Sequence, residues 1–273
     1  MVTKSAPHYK RIVVKAGTGV LTGRSDKLHL PTLVGLVEQM AAIHFTGCEV
    51  LLVSSGAIAA GRRPLNEHGD LPEVPFRQVL AAVGQNYLMN TYSSLFDWWS
   101  ITIAQLLLSR HDLSDNQHSM NVHNTLRSLM ARRVVPIINE NDVVAVEEIG
   151  EIFGDNDILS ALVARLVGAD LLILLTDTEG LMTSDPWSNP DAVRVPRVDT
   201  IDRDIESLVN DEVKPWSRGG MRTKIEAAKL ATNAGVSVVM CDGNRSDVIS
   251  LVYRGEDVGT FFPPFMGADP SKI

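Results

Sequence analysis

Short apolar runs, each cut off by glycine or polar residues, alternate along the chain with longer stretches whose apolar side chains return every three or four positions. The short runs fall at 11–16, 50–53, 101–104, 134–138, 171–175, 236–240 and 259–262, and each reads as a buried strand. Helical spacing appears at 30–45, through Leu33, Val34, Leu36, Val37, Met40, Ala41, Ile43 and His44, with Pro31 suited to a first turn. It returns at 76–98, 116–130, 158–167, 220–234 and 247–253, and briefly at 201–209. The stretch 158–167 is apolar on nearly every side, so that helix is expected inside the layers. Gly235 is placed to close the helix before it. Weak alternation around Gly150 predicts a hairpin over 144–153, and 178–214 reads as irregular, with Pro186, Pro190 and Pro196.

Strands alternating with helices imply parallel pairing, and the sum is about eight strands in an open, mainly parallel sheet sandwiched between helices. The expected organisation is a single α/β domain over 1–273. Ligands in such sheets bind outside the carboxyl ends of the strands. The residues that follow the runs are Lys15 to Gly19, Ser54 to Ala57, Asn139 to Asp142, and Thr176-Asp177. They form the candidate site by topology alone.

Composition narrows the partners. With 25 basic and 33 acidic residues the net charge is −8, and no basic stripe is present, which argues against nucleic acid. An anionic substrate must therefore be held by local donors. No run approaches the roughly 18 apolar residues of a membrane span, and the polar first ten positions lack the apolar centre of a signal peptide. A soluble cytoplasmic protein is expected. Cys48 and Cys241 show no ligand spacing and are read as buried reduced thiols.

Two glycine stretches carry the chemistry. Lys15-Ala16-Gly17-Thr18-Gly19 follows a strand, and Gly219-Gly220-Met221-Arg222-Thr223-Lys224 opens a helix. Free amides at a helix start favour an anion, and a helical lysine leans back toward that end. Both stretches therefore suit a polyphosphate, the alternatives being a plain tight turn for the first and a solvated surface lysine for the second. A dinucleotide fingerprint is disfavoured by the G-x-G-x-x-x-G spacing. Neither a P-loop nor the protein-kinase set occurs. Gly154-Asp155-Asn156-Asp157 precedes the buried helix; one Asx side chain caps it, and the others are free to hold an ammonium, orient lysines or ligate magnesium. Asn139 and Asp142 form a second polar set, and Asp177 is read either as a ligand contact or as a turn residue. The histidines show no ligand spacing, and Arg110-His111-Asp112 has no nucleophile beside it. Trp98-Trp99 covers either a hydrophobic edge or a subunit contact.

Taken with Val53-Ser54-Ser55-Gly56-Ala57-Ile58-Ala59-Ala60-Gly61, Leu80-Ala81-Ala82-Val83-Gly84-Gln85, Pro136-Ile137-Ile138-Asn139-Glu140-Asn141-Asp142 and Leu174-Leu175-Thr176-Asp177, these stretches resemble the amino acid kinase family, and within it the members that phosphorylate glutamate. The resemblance implies the amino acid kinase fold and transfer of phosphate from ATP, with Mg2+, to the γ-carboxylate of L-glutamate at the start of proline synthesis. By that resemblance Lys15 and Lys224 neutralise the phosphoryl group in flight and Asp157 orients both. Ser55, Gly56, Ala57, Asn139, Asp142 and Asn156 contact glutamate. Lys15, Gly17, Thr18, Thr176, Asp177, Arg218, Gly219, Gly220, Met221, Arg222, Thr223 and Lys224 form the nucleotide site. Magnesium rides on the ATP phosphates, with no protein ligand assigned. The resemblance also implies a dimer or tetramer, feedback inhibition by proline and handover of the product to a reductase. Three departures stand out: Ala16 and Gly19 in the first loop, Arg218 before the glycine pair, and too few residues after Phe262 for the RNA-modification-type (PUA) domain that many relatives carry. The competing readings are a kinase of the same fold acting on aspartate, N-acetylglutamate or a carbamoyl group, and a catalytically dead module sensing proline or nucleotide.

Overall fold

The computed structural model describes residues 9–67, 74–144, 156–209 and 220–265. Among them seven strands form one sheet: β1 (Arg11–Ala16), β2 (Glu49–Ser54), β3 (Ile103–Leu108), β4 (Val135–Glu140), β5 (Leu171–Thr176), β6 (Ser237–Asp242) and β7 (Thr260–Phe262). Their order is β3-β4-β2-β1-β5-β6-β7, parallel throughout except β7, which runs against β6. The pattern predicted about eight strands, so the count is corrected to the seven described. The expected hairpin at 144–153 lies, apart from Val144, outside the described residues.

Ten helices connect the described strands: α1 (Thr18–Thr22), α2 (Leu30–Phe45), α3 (Ala57–Leu65), α4 (Val74–Asp97), α5 (Arg110–Ser114), α6 (Asn116–Ala131), α7 (Asn156–Val167), α8 (Arg203–Ser207), α9 (Met221–Asn233) and α10 (Val248–Tyr253). They cover both faces, as a parallel sheet requires. Ile12, Val14 and Ala16 of β1, with Leu52, Ile173 and Leu175, pack against Leu33 and Met40 of α2, Leu88 and Tyr92 of α4 and Val248 of α10. Val13, Leu51, Val53, Leu172 and Leu174 pack on the other face against Leu126 of α6, Ala161 and Val163 of α7, and Ala227 and Ala228 of α9. Successive side chains on a strand alternate between faces, so Lys15, two positions beyond Val13, belongs to the α7–α9 face. The sheet decides which helices Lys15 meets before any polar contact forms.

A second constraint positions the mouth of the sheet. Helices α3 and α4 cross with their backbones in contact: a Cβ on Gly84 would lie 1.8 Å from the Ala57 carbonyl oxygen and 2.4 Å from the Gly61 nitrogen. A Cβ on Gly61 would lie 2.1 Å from the Leu80 carbonyl oxygen. Only glycine permits that approach. It fixes α3, and with it Gly56, whose φ of +100° turns the chain from β2 into the helix.

Several boundaries differ from the pattern. The run at 101–104 marks the beginning of β3, which continues to Leu108; as a sheet edge it leaves Gln105 and Leu107 exposed, so its hydrophobicity breaks off early. Helices α1 and α3 were not anticipated, because both are interrupted by glycine, and α3 also by Pro64. The helix expected over 201–209 is the five-residue α8. Gly235 closes α9 with φ +82°, as its position suggested. Cys48 and Cys241 are free and buried, and burial pushes the Cys48 thiol up to about 12.

Candidate active site

Three distant stretches of sequence meet at one carboxylate. Lys15 is the last residue but one of β1, Asp157 is the second residue of α7, and Lys224 lies in the first turns of α9. The Lys15 ammonium is 2.6 Å from Asp157 Oδ1, and the Lys224 ammonium is 3.0 Å from Asp157 Oδ2. Thr223 adds a hydroxyl donor to Oδ2 at 3.2 Å. Asp157 is fully buried, while both lysines line the cleft above it. Burial alone would raise the Asp157 carboxyl; the two ammonium groups and their hydrogen bonds outweigh it and hold the group well below the usual carboxylate range. One anion thus holds two cations, and the triad keeps a net positive charge at the cleft floor.

Local sequence explains the aim of each lysine. A Cβ on Gly17 would lie 3.1 Å from Lys15 Nζ, so glycine there leaves the ammonium room. Gly220 begins α9 without a side-chain cap, and the first amides of a helix have no partner within it. Lys224 folds back along the helix until its Nζ lies 3.5 Å from the Gly220 carbonyl oxygen.

Beside the lysines is a chain of amides. Asn139, the last residue but one of β4, donates from Nδ2 to Gln85 Oε1 on α4 at 2.9 Å. Its Oδ1 accepts from the Glu140 backbone N–H at 2.9 Å and from Asn156 Nδ2 at 3.0 Å. The same Asn156 amide donates to Ser55 Oγ at 2.8 Å. Ser55, Gly56, Ala57, Asn139, Asp142 and Asn156 all line the cleft. Burial pushes the Asp142 carboxyl up to about 6, the Arg77 guanidinium opposing this in part.

The cleft, of about 240 Å³, is lined also by Gly17, Thr18, Thr176, Asp177, Gly220 and Met221. Val20, Leu175, Leu181, Met182, Leu208 and Val209 add apolar wall to it, beside the polar Thr178, Ser184 and Asp185. The Arg24 guanidinium donates to the Asp177 carbonyl oxygen at 3.1 Å and stacks over the Trp187 ring at 4.4 Å. This ties the loop after α1 to the loop after β5.

The structure therefore gathers most of the sequence-derived candidates around one cleft. Thr223 lies beneath it on Asp157 rather than in its wall. Arg222 is placed on the exposed face of α9, 3.3 Å from Glu226, and does not line the cleft. Gly154, Asp155, Arg218 and Gly219 fall outside the described residues. Sequence reasoning gave no role to Gln85 or Glu140, nor to the apolar wall. Gln85 and Glu140 sit inside stretches singled out by resemblance, but only tertiary contact shows what they touch. The wall residues Leu181 and Met182 come from the segment read as irregular, where periodicity says nothing.

Comparison with known proteins gives the family and the fold. The amino acid kinase family pattern matches residues 10–242. Glutamate 5-kinase of Dehalococcoides mccartyi strain 195 is 48% identical over 265 residues, covering 97% of this chain and 71% of that protein. Glutamate 5-kinase of Proteus mirabilis is 48% identical over 252 residues, covering 92% of this chain and 68% of that protein. Two crystal structures share the fold at low identity. One is UMP kinase from Bacillus anthracis, with TM-score 0.60, 16% identity and coverage of 94% and 96% of the two chains. The other is isopentenyl phosphate kinase of T. acidophilum, with TM-score 0.63, 17% identity and coverage of 92% and 99%. The chain belongs to the amino acid kinase family.

Proposed function

We propose that this chain transfers the γ-phosphoryl group of ATP to the γ-carboxylate of L-glutamate, forming L-glutamyl 5-phosphate and ADP, the first step of proline synthesis. The observation that carries this reading is the convergence of Lys15 and Lys224 on Asp157, at the floor of a cleft lined by both polar and apolar residues. The shared name of the similar proteins, glutamate 5-kinase, supplies the acceptor.

The chemistry asks little of the protein beyond positioning and charge. A γ-carboxylate is already ionised at neutral pH, so no base is needed. One of its oxygens bonds to the γ-phosphorus as the bond from that phosphorus to the bridging oxygen of ADP breaks. Negative charge gathers on the equatorial and bridging oxygens, where fixed cations are worth most. Lys15 and Lys224 supply those cations, and Asp157 keeps each ammonium from swinging away. Ser55, Asn156, Asn139 and Asp142 form the acceptor end, with Asp142 suited to an ammonium when ionised. Thr176, Asp177 and the start of α9 form the nucleotide end, to which we also assign Gly17, Thr18 and the segment 218–223.

Among the described residues no three Asp, Glu, His or Cys side chains group as a metal cage. The oxygens of Thr176, Asp177 and Asp185 at the cleft suit a hard cation that arrives with phosphate. We assign Mg2+ to the nucleotide on that basis; when bound, it would neutralise phosphate charge. No helix among the described residues is long and apolar enough to cross a membrane. A cytoplasmic enzyme that assembles as a homo-oligomer, responds to proline and passes its labile acyl phosphate to a reductase completes the proposal.

The test is chemical trapping. Hydroxylamine converts an acyl phosphate to a stable hydroxamate. The protein incubated with ATP, magnesium and hydroxylamine should form hydroxamate with L-glutamate, and only background amounts with aspartate, N-acetylglutamate or no acceptor. No glutamate-dependent product, or a larger yield from another acid, would overturn the assignment.

A further inference from the structure

Gln85 lies outside the cleft wall, buried on α4, yet it ends the chain of amides that reaches Ser55. Amide side chains can face either way, so the direction of such a chain needs an anchor. The anchor here is a backbone group. The Glu140 N–H can only donate, and it meets Asn139 Oδ1 at 2.9 Å. Asn139 must then turn its Nδ2 outward, and that group meets Gln85 Oε1 at 2.9 Å. Because Asn139 Oδ1 accepts, Asn156 presents its own NH2 to it at 3.0 Å and to Ser55 Oγ at 2.8 Å. The Ser55 oxygen is thus taken as an acceptor by the relay. Its hydroxyl hydrogen is left for an acceptor in the cleft that Ser55 lines.

Gln85 fills its end of the relay at a cost. Its Nε2 is buried without a hydrogen-bond partner among the described residues. An apolar side chain of similar length would avoid that cost. What the apolar residue would lack is the Oε1 that accepts from Asn139. Packing therefore does not account for a glutamine here, whereas the polarity of the relay does.

We infer that Gln85 is a positioning residue for the acceptor: by accepting from Asn139 Nδ2 it fixes the direction of the Gln85–Asn139–Asn156–Ser55 relay and presents the Ser55 hydroxyl as a donor to a carboxylate of the amino-acid substrate. This deepens the proposed function and rests on it. Without the Gln85 acceptor, the buried Asn139 Nδ2 is left unpaired, and its side chain gains by turning toward the cleft. Asn156 and Ser55 then lose their fixed orientation. The ammonium groups of Lys15 and Lys224 are held by Asp157, so the effect of the relay is expected at the acceptor end.

The experiment compares wild type, Gln85→Met, Gln85→Asn and Gln85→Glu in the hydroxylamine assay, with KM measured separately for glutamate and ATP. Methionine keeps the length and removes the acceptor; asparagine keeps the amide but withdraws it by one methylene. Glutamate as the replacement keeps an acceptor oxygen in place. Gln85→Met and Gln85→Asn should raise the glutamate KM about tenfold with the ATP KM unchanged, the size expected for an unpaired buried donor. Gln85→Glu, accommodated as the neutral acid at this buried position, should stay within about threefold of wild type, because its carbonyl oxygen still accepts. If Gln85→Met does not fold, Gln85→Asn and Gln85→Glu carry the comparison. An unchanged glutamate KM, an equal rise in both KM values, or a Gln85→Glu variant as impaired as Gln85→Met would overturn the positioning role while leaving the proposed reaction intact. A wild-type protein without glutamate-dependent product would remove the reaction and this role with it.

Discussion

A carboxylate with no access to water is tolerable only when opposite charges surround it. Asp157 meets that condition with two ammonium groups, and removing its charge leaves both lysines buried beside a neutral amide. Asp157→Asn should lower stability by about 3–5 kcal/mol, the usual cost of breaking a buried pair from one side, and should cripple turnover in the fraction that stays folded. Chemical denaturation and the trapping assay measure the two effects. The pH dependence follows from the direction of the shift. The folded-state carboxyl is depressed, so the unfolded chain binds the extra proton; the stabilisation is complete above about pH 4 and fades as pH falls toward the folded value. The stability gap between wild type and Asp157→Asn should therefore narrow on acidification. Asp142 has the opposite sign. Its carboxyl is pushed up to about 6, so below that pH it is neutral and cannot hold a substrate ammonium. The kcat/KM for glutamate should rise with pH through an ionisation near 6, and Asp142→Asn should lower it and flatten that limb. A raised folded-state carboxyl also costs stability once both states are ionised, so Asp142→Asn should be more stable than wild type at pH 7 and lose that advantage near pH 4. The lysines and Asp157 were legible as residue types beside glycines; their shared contact came only through the family resemblance, because it joins three stretches that no spacing rule connects.

At the level of elements, the chain reports its interior well and its rim poorly. Strands β1, β2, β4, β5 and β6 are buried on both faces and read as unbroken apolar runs. The edge strand β3 and the glycine-rich helices α1 and α3 escape the same reading. Yet α1 and α3 frame the cleft, since the backbone must turn sharply or approach closely there. The crossing of α3 and α4 is the clearest instance. Gly84→Ala forces its methyl into the Ala57 carbonyl, and the helices must separate. The substitution should destabilise the protein by about 1–3 kcal/mol or more, as overpacking does. It should also raise the glutamate KM more than the ATP KM, because α3 begins at Gly56 and Ala57. Denaturant midpoints and separate KM measurements check both. Gly35, where an added Cβ meets nothing within 4 Å, is the control: Gly35→Ala should be neutral or slightly stabilising.

Across the whole molecule, strand order does the assembling. β1 lies between β2 and β5, so the carboxyl ends that carry Lys15, Ser55 and Thr176 are neighbours despite their separation in sequence. The helices on one face then bring Asp157 and Lys224 to the end of β1. That outcome was legible as topology, since ligands of parallel sheets collect at strand carboxyl ends. The apolar part of the cleft wall was not, because Leu208, Val209 and Met182 reach it from irregular or short segments. The account makes the two lysines one device acting on one phosphorus. Single-turnover rates of phosphoryl transfer in Lys15→Ala, Lys224→Ala and the double variant, with ATP and glutamate saturating, test that most directly. Each single change should lose about 10²–10³ in rate, and the double variant should fall no more than about tenfold below the worse single, since groups acting as a unit are not additive. Full rate in either single variant, or losses that multiply to about 10⁵ in the double variant as for independent groups, would contradict it.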